Sequence, residues 1–501
     1  MTIPKICGIE TEYGIHVRGS DVSAVVASSM LVNGYGIDTD GVRAWDFQDE
    51  SPDIDARSGA RPEADFPVVE TLMANTILTN GARYYVDHAH PEYSSPECAT
   101  PLEAVLYDRA GEEVVRRSML RANTLLEDGV ELIAHKNNSD GKGNSYGCHE
   151  NYLVDRNVPF GRLAQSVMAH FVSRQIFCGA GKVGVEAQRE GEPWVPFQIS
   201  QRADFFEAEV GLETTLRRPI INTRDEPHAD PDLFRRLHVI IGDANMSQRI
   251  NYLKMGTTAI VLSMIEANFL KLDFELYDAV TSMHLVSHDY KFETKQRLRD
   301  GSEMSALDIQ KHYQSSAARF LTETGETDEM AHDVVTQWGR ILNALEHDPM
   351  SLVNEVDWIT KLSVLNGYRN RDQLLWNDSR LAAIDIQFAD LRPDKGLARV
   401  LQQKGKMDLL FTEEQVAQAV ANPPVDTRAY FRGTCVAKFV DQVAAASWDS
   451  VILDLGPDVP LKRISTPDAL GGTQAATSDL FEQSELAADL LANLKPEHVL
   501  A

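Results

Sequence analysis

Four strand-like stretches each place charged or metal-competent side chains two residues apart, and this spacing limits how the chain can fold. They are Gly8-Ile9-Glu10-Thr11-Glu12-Tyr13, Arg83-Tyr84-Tyr85-Val86-Asp87, His149-Glu150-Asn151-Tyr152 and Arg236-Leu237-His238-Val239-Ile240. In a strand, residues i and i+2 share a face of the sheet. Glu10 with Glu12, then Arg83, Tyr85 and Asp87, then His149 with Asn151, then Arg236 with His238, are therefore expected on one face. Their neighbours Cys7, Ile9, Tyr84, Val86, Tyr152, Leu237 and Val239 are expected to fill an apolar core behind it. Like charges side by side on a sheet destabilise it. A face of this kind calls for counter-charge, and divalent metals are the simplest source. The chain reads as an enzyme.

Bulk properties narrow the class. A length of 501 residues suggests a large principal domain plus something smaller. A formal net charge of −27 argues against a binder of phosphate backbones, which needs a basic footprint, so no nucleic-acid partner is expected. Five scattered cysteines (Cys7, Cys98, Cys148, Cys178, Cys435) with no C-x-x-C pair fit reduced thiols, not a disulfide framework or zinc knuckle. Met1-Thr2-Ile3-Pro4-Lys5 leads straight into a strand without an apolar signal region. The longest apolar run, 258–270, is interrupted by Ser263, Glu266 and Asn268 and is too short to span a bilayer. No membrane association and a cytoplasmic location are expected.

Alternation marks a first strand over 5–16 and another over 82–88. Between them, 35–68 is rich in Asp, Gly, Pro and Ser, shows neither helical nor strand period, and reads as a mobile acidic loop that gates or regulates the site. Thr100-Pro101-Leu102-Glu103 supplies an N-cap, a first-turn proline and a capping-box acid for a helix to about 127. Strands follow at 130–136, 148–154, 197–201 and 236–242. Helices are expected at roughly 160–177, 257–271, 304–322, 328–347, 351–366 and 371–386. Gly179-Ala180-Gly181-Lys182 lacks the spacing of a phosphate loop and reads as a turn. A strand-rich first half and helix-rich second half, without βαβ alternation, indicate an α+β fold with a mainly antiparallel sheet. The composition shifts near 427, dividing the chain into 1–426 and a small C-terminal domain, 427–501, with a strand at 451–455 and a helix after Gly471-Gly472.

On the polar face, Gly8 and Gly14 flank the two glutamates and leave room for a bulky ligand. Magnesium favours a few carboxylates with phosphate oxygens and water, a combination this face can meet. Asp87 ends its strand before a turn bearing Glu92, Ser94 and Ser95, a common setting for a catalytic base or nucleophile. Cys148 and His149 are adjacent on a strand, face opposite sides and cannot form a thiol–imidazole pair. His149 and His238 are candidates for metal or phosphate contact.

Taken together, Gly8-Ile9-Glu10-Thr11-Glu12-Tyr13-Gly14, Asn80-Gly81-Ala82-Arg83-Tyr84-Tyr85-Val86-Asp87, His90-Pro91-Glu92-Tyr93, His149-Glu150-Asn151-Tyr152 and Gly242-Asp243-Ala244-Asn245-Met246-Ser247 resemble the Pup ligase/depupylase family. The resemblance implies a glutamine-synthetase-like fold, a curved antiparallel sheet backed by helices that cradles ATP and magnesium, plus a small C-terminal domain. It implies Glu10, Tyr85, Glu92, His149 and His238 as magnesium ligands. Gly8, Ile9, Glu10, Thr11, Glu12, Ser94, Ser95, Asn151 and Arg236 would touch ATP, with Trp448 near the nucleotide, and Asp87 would be catalytic. Asp87-His88-Ala89-His90-Pro91-Glu92, one residue shorter than the ligase pattern, and the acidic loop before it place the chain nearer the depupylating branch. The implied reaction deamidates the C-terminal Gln of Pup and cleaves the Pup–lysine isopeptide bond of pupylated proteins in the Pup–proteasome pathway. ATP would serve as a bound cofactor. The competing readings are a Pup–protein ligase or other ATP-dependent carboxylate–amine ligase, and a non-catalytic nucleotide-binding regulator.

Overall fold

A computed structural model describes residues 5–36, 44–47, 50, 54–57, 74–186 and 194–500. Its centre is a six-stranded sheet formed by β1 (Cys7–Glu12), β2 (Asn75–Ile77), β3 (Arg83–Asp87), β4 (His90–Ser94), β5 (Cys148–Asp155) and β6 (Phe234–Val239), in the order β6–β5–β1–β4–β3–β2. Every pairing in it is antiparallel. The alternation read from the sequence is realised: Ile9, Tyr84, Val86, Tyr152, Leu237 and Val239 are all buried in the principal core.

Helices α1 (Pro101–Asn123), α2 (Phe160–Cys178) and α3 (Gln248–Glu266) build the layer behind the apolar face. Thr100 caps α1 by accepting from Glu103 N at 3.2 Å, while the Glu103 carboxylate accepts from Ala99 N at 2.9 Å, one residue before the expected capping-box partner. Gly111 is needed where α1 crosses the sheet, because a Cβ there would meet the Tyr93 ring at 2.3 Å. Helix α3 starts at 248, not 257, because Ser247 accepts from Ile250 N. The buried Asp357 braces that start by accepting from Met246 N and Ser247 N, both at 3.0 Å. The Gly242–Ser247 motif is thus part of the scaffold.

The helices expected between 304 and 386 are present as Ala306–Thr324, Glu329–His347, Asp357–Asp372 and Ser379–Phe388. Ahead of residue 427 four helices were not anticipated, Ala24–Gly36, Ala279–His288, Leu397–Gln403 and Glu413–Ala421, and the strand expected at 197–201 is only Phe197–Gln198. Among the described residues no helix is long and apolar enough to cross a membrane.

Helix α4 (Ala429–Lys438) opens the C-terminal segment, whose apolar cluster includes Phe431, Phe439, Val451, Ile464 and Phe481. Three helices, not one, follow Gly472. Of the expected mobile loop, 37–43, 48–49, 51–53 and 58–68 lie outside the described residues. Its described parts are anchored. Ala44–Trp45 pairs in parallel with Ala445 and Ala446, Trp45 is buried in the C-terminal cluster, and Asp55 bridges to Arg224. A two-residue strand leaves no periodicity for the sequence to show.

Glu150, next to His149, points through the sheet and is wholly buried against Arg174, with Oε2 2.9 Å from Nη1 and Oε1 2.5 Å from Nη2. Removing one partner of such a pair strands the other charge. Glu150→Ala is expected to destabilise the fold by about 3–5 kcal/mol in denaturant unfolding; a loss under about 1 kcal/mol would show that Arg174 finds other compensation.

Candidate functional site: a carboxylate and imidazole floor

Register gathers the polar residues into rows. Glu10 stands across from Ser94 on one side and His149 on the other, and Gly8 across from Asn151, which faces His238 in turn. In the next row Glu12 faces Glu92 and Glu92 faces Tyr85; beyond it Asp87 faces His90. The result is two groups, Glu10 with His149 and His238, and Glu12 with Asp87 and Glu92. In each, ligand-type atoms of all three residues lie within 4.8 Å of one another.

Electrostatics show why each group suits a cation. Burial pushes the Glu92 carboxyl well up, and the charges of Asp87, Glu12 and Glu10 push it further. Glu12 is also buried, yet its hydrogen bond with His90 and the charges of His149, His90 and Arg202 outweigh burial and hold it at about 2. Two carboxylates directly opposite in a ladder, driven apart in this way, are short of positive charge. In the other group, burial of Glu10 is outweighed by its hydrogen bond to His149 and by the charges of His238 and Arg236, which hold it well below the usual range.

His238 carries the sharpest signal. Its Nδ1 lies 3.0 Å from Asn151 Oδ1, which can only accept, and 3.3 Å from Arg236 Nη1, which can only donate; the shorter contact favours a proton on Nδ1. Its Nε2 is buried with no hydrogen-bond partner among the described residues. Burial, together with Arg236 and His149, lowers the His238 pKa well below the usual value despite Glu10. A neutral imidazole with an oriented, unpaired ring nitrogen is a metal ligand's arrangement. Asn151 does the orienting: it donates from Nδ2 to Glu10 Oε1 at 2.9 Å and accepts from Arg236 Nη1 at 2.6 Å. The donor set fits two hard divalent cations. Tyr85, also expected as a ligand, is a half-buried phenol whose pKa is pushed well up by burial and by Glu92.

A cleft beside this floor is lined by Gly8, Ile9, Glu10, Ser94, Ser95, Asn151, Arg236 and, from the C-terminal segment, Trp448. Thr11 is one of two exceptions among the residues expected there. It is buried on the opposite face, where its hydroxyl donates to Asp108 at 3.0 Å. Glu12 belongs with Asp87 and Glu92, not with the cleft. Gly14 leaves no room for a ligand either, since the Tyr146 hydroxyl would lie 2.4 Å from a Cβ.

Asp87 lies at the open end of the acidic group, its side chain about one-third exposed, with Oδ2 2.9 Å from His88 Nδ1. His88 has a φ of +51°, an uncommon backbone for a non-glycine residue that turns the chain sharply after Asp87. Sequence reasoning passed over His90, whose Nδ1 is 3.5 Å from Glu12 Oε2 and whose ring packs 4.4 Å from that of Tyr146. The alternation of His90 with Glu92 was the available clue. Arg428 and Glu97 also went unnoticed beside the cleft, for lack of any local signal.

An antiparallel sheet presenting paired carboxylate and imidazole groups beside a cleft belongs to an enzyme of the glutamine-synthetase-like class. The chain belongs to the Pup ligase family, whose profile, described as Pup-ligase protein, matches residues 5–452. It is 50% identical to a depupylase of Acidothermus cellulolyticus, covering 98% of this chain and 99% of that protein. It is 46% identical to a Pup deamidase/depupylase of Mycolicibacterium smegmatis at the same coverage. Among solved structures, the complex of Pup with its ligase PafA matches with a TM-score of 0.80 at 31% identity, over 96% of this chain and 91% of that one. PafA with ADP matches with a TM-score of 0.74 at 35% identity, over 81% and 89%.

The geometry sets an expectation for cation binding. In manganese titrations, His238→Ala is expected to lose the ion between Glu10 and His149, and Asn151→Ala to weaken it by about 10–100-fold by freeing the ligands it orients. Unchanged affinity in both folded variants would show that this group holds no cation.

Proposed function

We propose that this chain is a hydrolase of the Pup pathway that converts the C-terminal Gln of Pup to Glu and cleaves the isopeptide bond joining Pup to a target lysine, with magnesium and ATP as bound cofactors. The relatives named for deamidation and depupylation match over nearly the whole chain, whereas a Pup–protein ligase of Mycobacterium ulcerans matches at 41% identity over 76% of it. Pup and pupylated proteins are the partners. A cytoplasmic location suits buried, unpaired cysteines.

The observation that carries the site assignment is the acidic group of Glu12, Asp87 and Glu92 with Asp87 at its open edge. In this reading Glu10, His149 and His238 hold one magnesium, Glu12 and Glu92 a second, and Tyr85 lies beside Glu92. Gly8, Ile9, Ser94, Ser95, Asn151, Arg236 and Trp448 line the nucleotide cleft. Magnesium bound there would neutralise the floor and supply a Lewis acid to polarise the scissile carbonyl. Asp87 is the carboxylate presented to that carbonyl, either taking a proton from the attacking water or attacking the carbon itself. The C–N bond breaks, the carbonyl carbon gains the hydroxyl of water, and ammonia or the lysine amine leaves with the proton. His88 fixes one Asp87 oxygen and leaves the other for the substrate.

The expected assay result, with Gln-ended Pup and magnesium–ATP, is ammonia without matching ADP; stoichiometric ADP would indicate a ligase. Asp87→Asn keeps the shape and is expected to lose about 10²–10⁴-fold in ammonia release while ATP affinity holds. Near-parental turnover in that variant would remove Asp87 from the chemistry.

A further inference from the structure

The catalytic sheet and the C-terminal segment meet at a half-buried carboxylate that the chemistry above does not use. Glu97 follows β4 and receives two arginines one helical turn apart, Arg428 at the N-cap of α4 and Arg432 within it. Arg428 Nε lies 2.8 Å and Arg432 Nη1 3.2 Å from Glu97 Oε1, and Arg432 Nη2 pairs with Oε2. Both guanidinium groups are almost wholly buried. Burial alone would raise Glu97, but Arg432 and then Arg428 hold it at about 2, so the group stays ionised.

The remaining donors of these arginines reach the walls of the cleft. Arg432 donates from Nη1 to Trp448 O at 2.6 Å and from Nε and Nη2 to Gly81 O, and its guanidinium lies 5.2 Å from the Trp448 ring centroid. Arg428 donates from Nη2 to His228 O at 2.5 Å and from Nη1 to Thr466 O at 3.0 Å. His228 has a φ of +48°, a conformation that persists where its surroundings hold it. The His228 and Trp448 rings stand 6.5 Å apart on the cleft that Gly8 and Ser95 floor, and the Trp45 ring packs edge-on 5.0 Å from that of Trp448. Removing three charges from water is a poor route to stability, and the attested use of such buried groups is to fix one geometry among several. Two cations on one anion also leave a net positive charge beside a cleft read as a phosphate-ester site.

We propose that Glu97, Arg428 and Arg432 are positioning residues for the nucleotide: one carboxylate held between two buried arginines locks the C-terminal segment over the cleft and sets Trp448 and His228 as the walls that hold the base. This rests on the cleft being the ATP site. Docking of the C-terminal segment and occupancy by nucleotide are then linked, each favouring the other.

Glu97→Gln tests this in the full-length protein, since it keeps the shape and removes the anion. The expected result is an ATP Kd and a KM for ATP each raised by at least about tenfold, with kcat at saturating ATP within about twofold of the parent. The tryptophan fluorescence change on adding ATP, assigned with Trp448→Phe, is expected to shift to the same higher concentrations. Arg432→Lys, which keeps the charge and loses the fork, is expected to fall between the two. It carries the same test if Glu97→Gln does not fold. Parental ATP affinity in a folded variant, or a fall in kcat with KM unchanged, overturns the proposal and leaves the nucleotide cleft standing. A parent protein that binds no ATP overturns both.

Discussion

Glu12 and Glu92 face each other directly across the ladder between β1 and β4, both buried, with Asp87 completing the group. Like charges in that position repel, and no lysine or arginine side chain is ion-paired to either among the described residues. The fold accepts this because the sheet behind them is held by a dry core, and in the proposed reading cations from outside complete the site. The arrangement of the active face follows from that one repulsion.

The first consequence is the division of work between the two groups. Glu10 and His238 are oriented in advance by Asn151 and Arg236, and His149 Nδ1 lies 3.4 Å from Glu10 Oε2, so their ligand atoms converge without help. Glu12, Asp87 and Glu92 are held by backbone register and by single contacts such as Gly147 N to Glu12 Oε1 at 2.8 Å. The first group is suited to hold a cation steadily. The second keeps Asp87 at the surface, where a carboxylate is useful to a substrate.

Much of this was legible in the sequence, because alternation is a local signal and the active face is made of alternation. Glu10, His149, His238 and Asp87 were placed on one face by spacing alone, and Ile9, Tyr84, Val86 and Leu237 on the other. What the spacing could not show is which strands lie side by side. That β1 sits between β4 and β5 depends on pairings between distant segments, so the direct opposition of Glu12 and Glu92 stayed hidden. Glu97 and Arg428 are 331 residues apart, and nothing local joins them. The start of α3 was misplaced because the apolar run at 258–265 is stronger than the cap that precedes it. Gly14 was read as space for a ligand, whereas the space is taken by Tyr146.

The central claim is that external cations neutralise this face. Anomalous diffraction from crystals grown with manganese and a non-hydrolysable ATP analogue tests it most directly. Two manganese peaks are expected, one among Glu10, His149 and His238 and one at Glu12 and Glu92. A map with neither peak, and with Glu12 and Glu92 sharing a proton in a direct carboxyl–carboxylate hydrogen bond, would contradict the account.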